Sequence, residues 1–183
     1  MIQAPRTAQF TAEDRHAFPS DGRRWEVLEG ALVVSPAPSV RHQRISSELV
    51  TRLLTHLRHE GLVLHAPVDV VLGAGTVCQP DVVFVSAGRR SIVEEDAIVG
   101  APDLVIEILS PSTRRTDLVL KAKLYLQAGV AAYWVVDPDL DRLEAFARVG
   151  DVWSSPVVAT SPEVFEPAAF PGLALPLREV FGR

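Results

Sequence analysis

Apolar and polar positions regroup along the chain in a way that predicts strands first, then alternating helices and strands. Trp25 to Val34 reads as two short strands turning near Glu29 and Gly30, a hairpin leading into the rest of the chain. Pro36, Pro38 and Ser39 break that pattern, and Ser39 is placed to cap a helix running to about Glu60, with Gly61 as its stop. Ile45, Leu49, Leu53 and Leu57 recur every four residues and give this helix one apolar face. Three strands follow near residues 63–72, 80–86 and 102–109, with Gly73, Gly75 and Gly88 at the joins. A second helix is predicted from Thr113 to Ala128, stopping at Gly129. The run Ala132 to Asp137, closed by Pro138, has the unbroken apolar character of a buried strand. Leu143–Arg148 and Val152–Val158 read as a closing hairpin around Gly150 and Asp151. The proline-rich tail is expected to be irregular until a short helical turn at Leu177–Phe181. This order implies an α/β (α+β) fold in which helices flank a mixed sheet.

Composition narrows the class. With 183 residues, 48% apolar and 22% charged, the chain has enough material for one well-buried domain. We expect an extension at 1–24 and a single domain over 25–183. No apolar run approaches the length of a membrane span, and Met1 to Arg6 lacks a leader-peptide pattern, so a cytoplasmic protein with no membrane partner is expected. The single cysteine, Cys78, rules out an intramolecular disulfide and a cysteine-based zinc site. A net charge of −5 weakens a nucleic-acid reading without deciding it, because a metal-dependent enzyme keeps acids for its ion and places basic groups locally. Arg41, Arg44 and Arg52 form one basic segment, and Arg114, Arg115, Lys121 and Lys123 another. Most of these read as solvated surface charges, Lys121 excepted.

The candidate chemistry lies in two apolar strands that each carry a carboxylate. Burying a lone carboxylate costs several kcal/mol unless a cation, a donor or a metal compensates it. Glu107, between Ile106 and Ile108, therefore requires a partner. If the strands at 80–86 and 102–109 are antiparallel neighbours, Asp81 near the start of one lies beside Glu107 near the end of the other. Oxygen ligands of this kind suit Mg²⁺ or Mn²⁺. Asp81 also reads as a turn cap after Pro80, and Asp103 as a turn residue. On the second helix, at about 100° per residue, Thr116, Lys123 and Gln127 define a solvent face. Leu118, Ala122 and Tyr125 lie opposite, with Lys121 close to Tyr125. Lys121 must then snorkel to water or meet an acid. His42 and His56 read as core histidines, His42 being nearer a helix end, and Glu48 reads as a flank position or a further acid.

At these residues the chain resembles the Uma2 family, restriction-endonuclease-like proteins of the PD-(D/E)xK superfamily. The resemblance is carried by Trp25 to Leu32, Gln79 to Val85, Ala101 to Thr113, Asp117 to Lys121, and Gly129 through Tyr133 to Pro138. It implies a restriction-endonuclease-like fold and metal-dependent phosphodiester cleavage in nucleic acid, with DNA the expected substrate. Asp81 and Glu107 match the superfamily's acidic pair. Leu109 stands where the superfamily's lysine is expected, and Lys121 from the following helix is the substitute. The implied set is catalytic Asp81, Glu107 and Lys121, with Mg²⁺ or Mn²⁺ held by Asp81, Glu107 and the backbone carbonyl of Ile108.

Two other classes compete. One is a binding or regulatory module that keeps the fold without catalysis, against which the retention of Asp81, Glu107 and Lys121 together counts. The other is a hydrolase of small phosphorylated molecules, but Gly73-Ala74-Gly75 lacks the residues that complete a phosphate loop. Cleaving two strands calls for two sites, so a homodimer is expected from the chemistry.

Overall fold

The protein is described here by a computed structural model over residues 9–182. Met1 to Arg6 lie outside the described residues, and the expected extension 1–24 is described only from residue 9. A 3₁₀ turn, Ala12–Ala17, precedes β1 (Arg24–Leu28) and β2 (Ala31–Ser35). Helix α1 (Val40–Leu57) is followed by β3 (Gly61–His65), β4 (Asp69–Gly73), β5 (Thr76–Cys78), β6 (Val82–Ser86), β7 (Ala97–Val99) and β8 (Leu104–Ile108). A π-helical turn, Thr116–Lys121, runs directly into α2 (Ala122–Ala128). The chain ends with β9 (Ala132–Asp137), β10 (Arg142–Val149), β11 (Val152–Trp153), β12 (Val157–Thr160), β13 (Val164–Phe165), β14 (Leu175–Pro176) and α3 (Leu177–Phe181).

The larger, 7-stranded sheet has the order β11-β10-β9-β8-β6-β3, with β12 also on β10. β6 and β8 are antiparallel, with Val82 opposite Ile106, whereas β8 and β9 run parallel across the intervening helix. Side-chain alternation divides the core between the two faces of β8. Leu104, Ile106 and Ile108 join Ile45, Leu49, Leu53 and Leu57 of α1. Val105 and Leu109 join Leu124, Tyr125, Val135 and Leu28 on the other face. Fully burying each such aliphatic side chain contributes about 1.5–3 kcal/mol, so both faces are strongly specified. A 5-stranded sheet, β2-β1-β5-β4-β7, lies over this second face and includes the expected N-terminal hairpin. Glu107 is on the second face, between Val105 and Leu109.

Several boundaries differ from expectation. The single strand expected at 63–72 is two strands, β3 and β4, in different sheets. Pro67 lies at the break, where it has no N–H to give a ladder. β5 and β7 have 3 residues each, too few for a period to register in the sequence. Helix α1 ends at Leu57, and Gly61 starts β3 instead of stopping the helix. A Cβ there would meet the Val85 carbonyl oxygen at 2.2 Å, so this glycine serves close strand approach. Leu118, expected inward, is 40% exposed. The π turn is the reason: the Ala122 N–H donates to the Asp117 carbonyl five residues back, and the wider turn rotates Leu118 out while Asp117 stays on the side of Lys121.

Candidate metal-dependent active site

The site forms where the β6–β8 ladder ends. Beyond the Val82–Ile106 pair, the Ile108 N–H donates to Asp81 Oδ2 at 2.7 Å. Asp81 Oδ2 also lies 3.2 Å from His42 Nε2 in the first turn of α1, whose N-cap Ser39 accepts from the His42 N–H. The other oxygen, Oδ1, is 2.5 Å from Arg24 Nη2. Burial works to raise the Asp81 carboxyl, but the His42 and Ile108 hydrogen bonds and the Arg24 charge outweigh it and hold it at about 2.

Glu107 and Lys121 meet behind Asp81. Lys121 Nζ is 3.1 Å from Glu107 Oε1, 2.8 Å from Glu26 Oε1 and 3.4 Å from Asp117 Oδ1. The Tyr125 hydroxyl donates to Glu107 Oε1 at 2.6 Å. Lys121 is 1% exposed, so it meets acids instead of snorkelling. Burial works to lower the Lys121 ammonium, but Glu107, Glu26 and Asp117 outweigh it and hold it well above the usual lysine range. Glu107 shifts in the opposite direction to Asp81. Burial pushes it up to about 8, with Asp117, Asp81 and Glu26 adding repulsion that Lys121 only partly offsets.

The structure thus brings Glu107 and Lys121 into contact, and Arg24 joins Asp81 to Glu107, with Nη1 4.0 Å from Glu107 Oε2. Three members of the site were not expected from the sequence. Glu26 accepts the Gln79 N–H and binds Lys121. Its signal was the period of two in β1, which puts Arg24, Glu26 and Leu28 on one face. Asp117, four residues before Lys121, shares its helix side, the i,i+4 spacing being its signal. Arg24 carries no sequence signal beyond its place on that face. Other candidates lie elsewhere. Glu48 pairs with Arg52, Asp103 accepts the Ser86 N–H, and Lys123 pairs with Glu29 at the surface. Arg41 and Arg114 are engaged by Asp141 and Asp137. Leu109 is buried among Leu124 and Tyr125, on the same face of β8 as Glu107.

Two clefts, of about 420 and 290 Å³, meet at Arg24 and His42. Asp81 and the basic residues Arg15 and Arg23 line the larger, and Ile108, Ser110 and Arg41 line the smaller. The profile of the Uma2 family, described as "Putative restriction endonuclease", matches residues 12–178. The chain belongs to the Uma2 family. Among solved structures, this Uma2 member is similar to a protein from Anabaena variabilis described as "a putative nuclease belonging to DUF820". The identity is 22% and the TM-score 0.78, over 94% of this chain and 98% of that one. That likeness shows a shared fold, a mixed α+β arrangement with sheets flanked by helices. The type IIG restriction endonuclease BpuSI aligns with a TM-score of 0.44 and 17% identity, over 78% of this chain and 15% of that one. None of the curated proteins compared matches the chain.

Carboxylate oxygens are the donor type that a hard divalent cation takes. Four buried carboxylates, Glu26, Asp81, Glu107 and Asp117, face two cations, Lys121 and Arg24. The described residues contain no cage of three or more His, Cys, Asp or Glu side chains around one point. Two carboxylates are nevertheless what Mg²⁺ uses when water and substrate phosphate complete its shell. No described helix is long and apolar enough to cross a membrane.

Proposed function

We propose that this Uma2 member is an endonuclease that hydrolyses phosphodiester bonds in nucleic acid, DNA foremost, with Mg²⁺ or Mn²⁺ as cofactor and residues 25–183 as its single catalytic domain. One observation carries the reading. A buried acid and a buried lysine, Glu107 and Lys121, touch immediately behind a second acid, Asp81, that opens on a cleft. Asp81, Glu107 and the Ile108 carbonyl would hold the ion. When bound, it supplies positive charge to the phosphate and lowers the pKa of a coordinated water.

The chain's own residues do the positioning. The Ile108 N–H and His42 fix one oxygen of Asp81, and Arg24 holds the other, so the carboxylate is set in place on both sides. Glu107, Glu26 and Asp117 hold the Lys121 ammonium protonated against its burial, so Lys121 serves as a hydrogen-bond donor and positive charge toward the attacking water or the phosphate and does not act as a base. Tyr125 fixes the Glu107 oxygen that Lys121 shares. Cutting both strands of a duplex would use two such sites in a homodimer.

The sealed position of Glu107 and Lys121 favours a second reading, a nuclease fold that binds nucleic acid without cutting it. Incubating wild type and Asp81→Asn with plasmid and single-stranded DNA in Mg²⁺, Mn²⁺ or chelator separates the two. Metal-dependent cleavage by wild type alone is expected. Salt-sensitive DNA binding without cleavage supports the second reading, and neither binding nor cleavage removes both.

A further inference from the structure

Arg24 begins β1 on the face shared with Glu26 and Leu28, so its side chain projects toward the acids. Its guanidinium contacts Asp81 Oδ1 at 2.5 Å and lies 4.0 Å from Glu107 Oε2. Those two oxygens are the ones that the remaining hydrogen bonds leave to Arg24. Asp81 Oδ2 is committed to Ile108 and His42, and Glu107 Oε1 to Lys121 and Tyr125. A Mg²⁺–oxygen bond of about 2.0–2.1 Å leaves no room for a guanidinium between the same two atoms. Arg24 is also the one site cation that borders both clefts, with a side chain 15% exposed.

We infer that Arg24 is a resident cation occupying the position of the divalent ion, and that it swings out into the clefts when the ion binds. This rests on the metal-dependent reading given above. The arginine compensates Asp81, beside Glu107, while no ion is present. Once released, its planar fork is placed beside the cleft where a backbone phosphate would lie, and it matches a phosphate in two-point geometry. Arg24 therefore exchanges two carboxylates for substrate, and metal and nucleic acid bind with positive coupling because each favours the same outward arginine.

The test measures Mn²⁺ binding directly, by the electron paramagnetic resonance signal of free Mn²⁺, in wild type and Arg24→Gln. Removing the competitor should tighten Mn²⁺ binding by roughly tenfold or more, the cost of a binding-competent state populated a tenth of the time or less. Equal or weaker binding by Arg24→Gln overturns the role of Arg24 while leaving the metal site in place. Absence of Mn²⁺ binding in both proteins removes the site, and this role with it. Should Arg24→Gln not fold, wild type suffices. Phenylglyoxal modification mapped by mass spectrometry should speed up several-fold at Arg24 when Mn²⁺ is added, with Arg114 unchanged as the internal reference. An Arg24 rate that is unchanged or slower with Mn²⁺ bound overturns the proposal.

Discussion

Lys121 Nζ lies 3.1 Å from Glu107 Oε1 although the two residues are 14 apart in sequence and sit on different elements. The residue two positions after Glu107 is Leu109, which alternation places on the same face of β8 and which fills the core beside Leu124 and Tyr125. The ammonium reaches the acid from the π-helical turn above that face. A lysine on this turn gains two further anchors, Glu26 and Asp117, that a strand position would not offer.

The two helix lysines should therefore separate cleanly. Lys123 is half exposed and paired with Glu29, so Lys123→Ala should change metal-dependent cleavage and stability little. Lys121→Ala should lower cleavage by about 10²–10³, as removal of one positioned electrostatic group does. It should also destabilise the protein by about 3–5 kcal/mol, because Glu26, Glu107 and Asp117 lose their shared cation inside the core. Cleavage assays and denaturant unfolding of both variants check this, and equal losses for the two lysines contradict it.

The sequence disclosed the antiparallel juxtaposition of Asp81 and Glu107, the capped first helix and the buried β9, because these rest on strong period or cap signals. It disclosed the inward lysine for an incomplete reason. An α-helical angle places both Lys121 and Leu118 inward, whereas the π turn keeps Lys121 inside and exposes Leu118. No residue pattern marks that extra residue per turn. Arg24 and Glu26 went unread because their chemistry arises from a second sheet folding over β8, a contact between segments about 80 residues apart that local periodicity does not encode.

Glu107→Gln isolates the metal ligand from the structural partner. The amide oxygen can still accept from Tyr125 and Lys121, and Glu26 and Asp117 continue to compensate the lysine. The metal-free variant should thus be as stable as wild type, within about 1 kcal/mol. Mn²⁺ should raise the melting temperature of wild type by mass action but that of Glu107→Gln far less. Calorimetry across a Mn²⁺ titration measures both, and full metal-induced stabilisation in the variant would take Glu107 out of the ligand set.

A lysine restored to the strand tests whether the two positions serve one role. Leu109 shares the face of Glu107, so Leu109→Lys in the Lys121→Ala background should direct an ammonium to the same carboxylate. It should regain part of the lost cleavage, about tenfold over Lys121→Ala alone, and some of the lost stability. The coupling between the two changes, measured against each single variant, should be positive. An additive cycle, with Leu109→Lys merely disrupting the core, excludes the equivalence.

The pH dependence follows from the opposite shifts of the two acids. Glu107, normally near 4.5, is pushed up to about 8 by burial, so between those values the metal-free folded protein holds a proton that the unfolded chain has lost. Stability from this group is full below its unfolded pKa and declines as pH rises through the folded value. Asp81, held at about 2, is ionised throughout that window and takes no part in it. A divalent ion needs the Glu107 anion, so binding at pH 7 should release about one proton per ion, and affinity should rise with pH until it levels off above about 8. Titration calorimetry in buffers of different ionisation enthalpy counts those protons directly. Release should vanish in Glu107→Gln and near pH 9 in wild type. Ion binding at pH 7 with no proton released would show that Glu107 is already an anion in the folded protein, which requires Lys121, Tyr125 and Arg24 together to outweigh its burial.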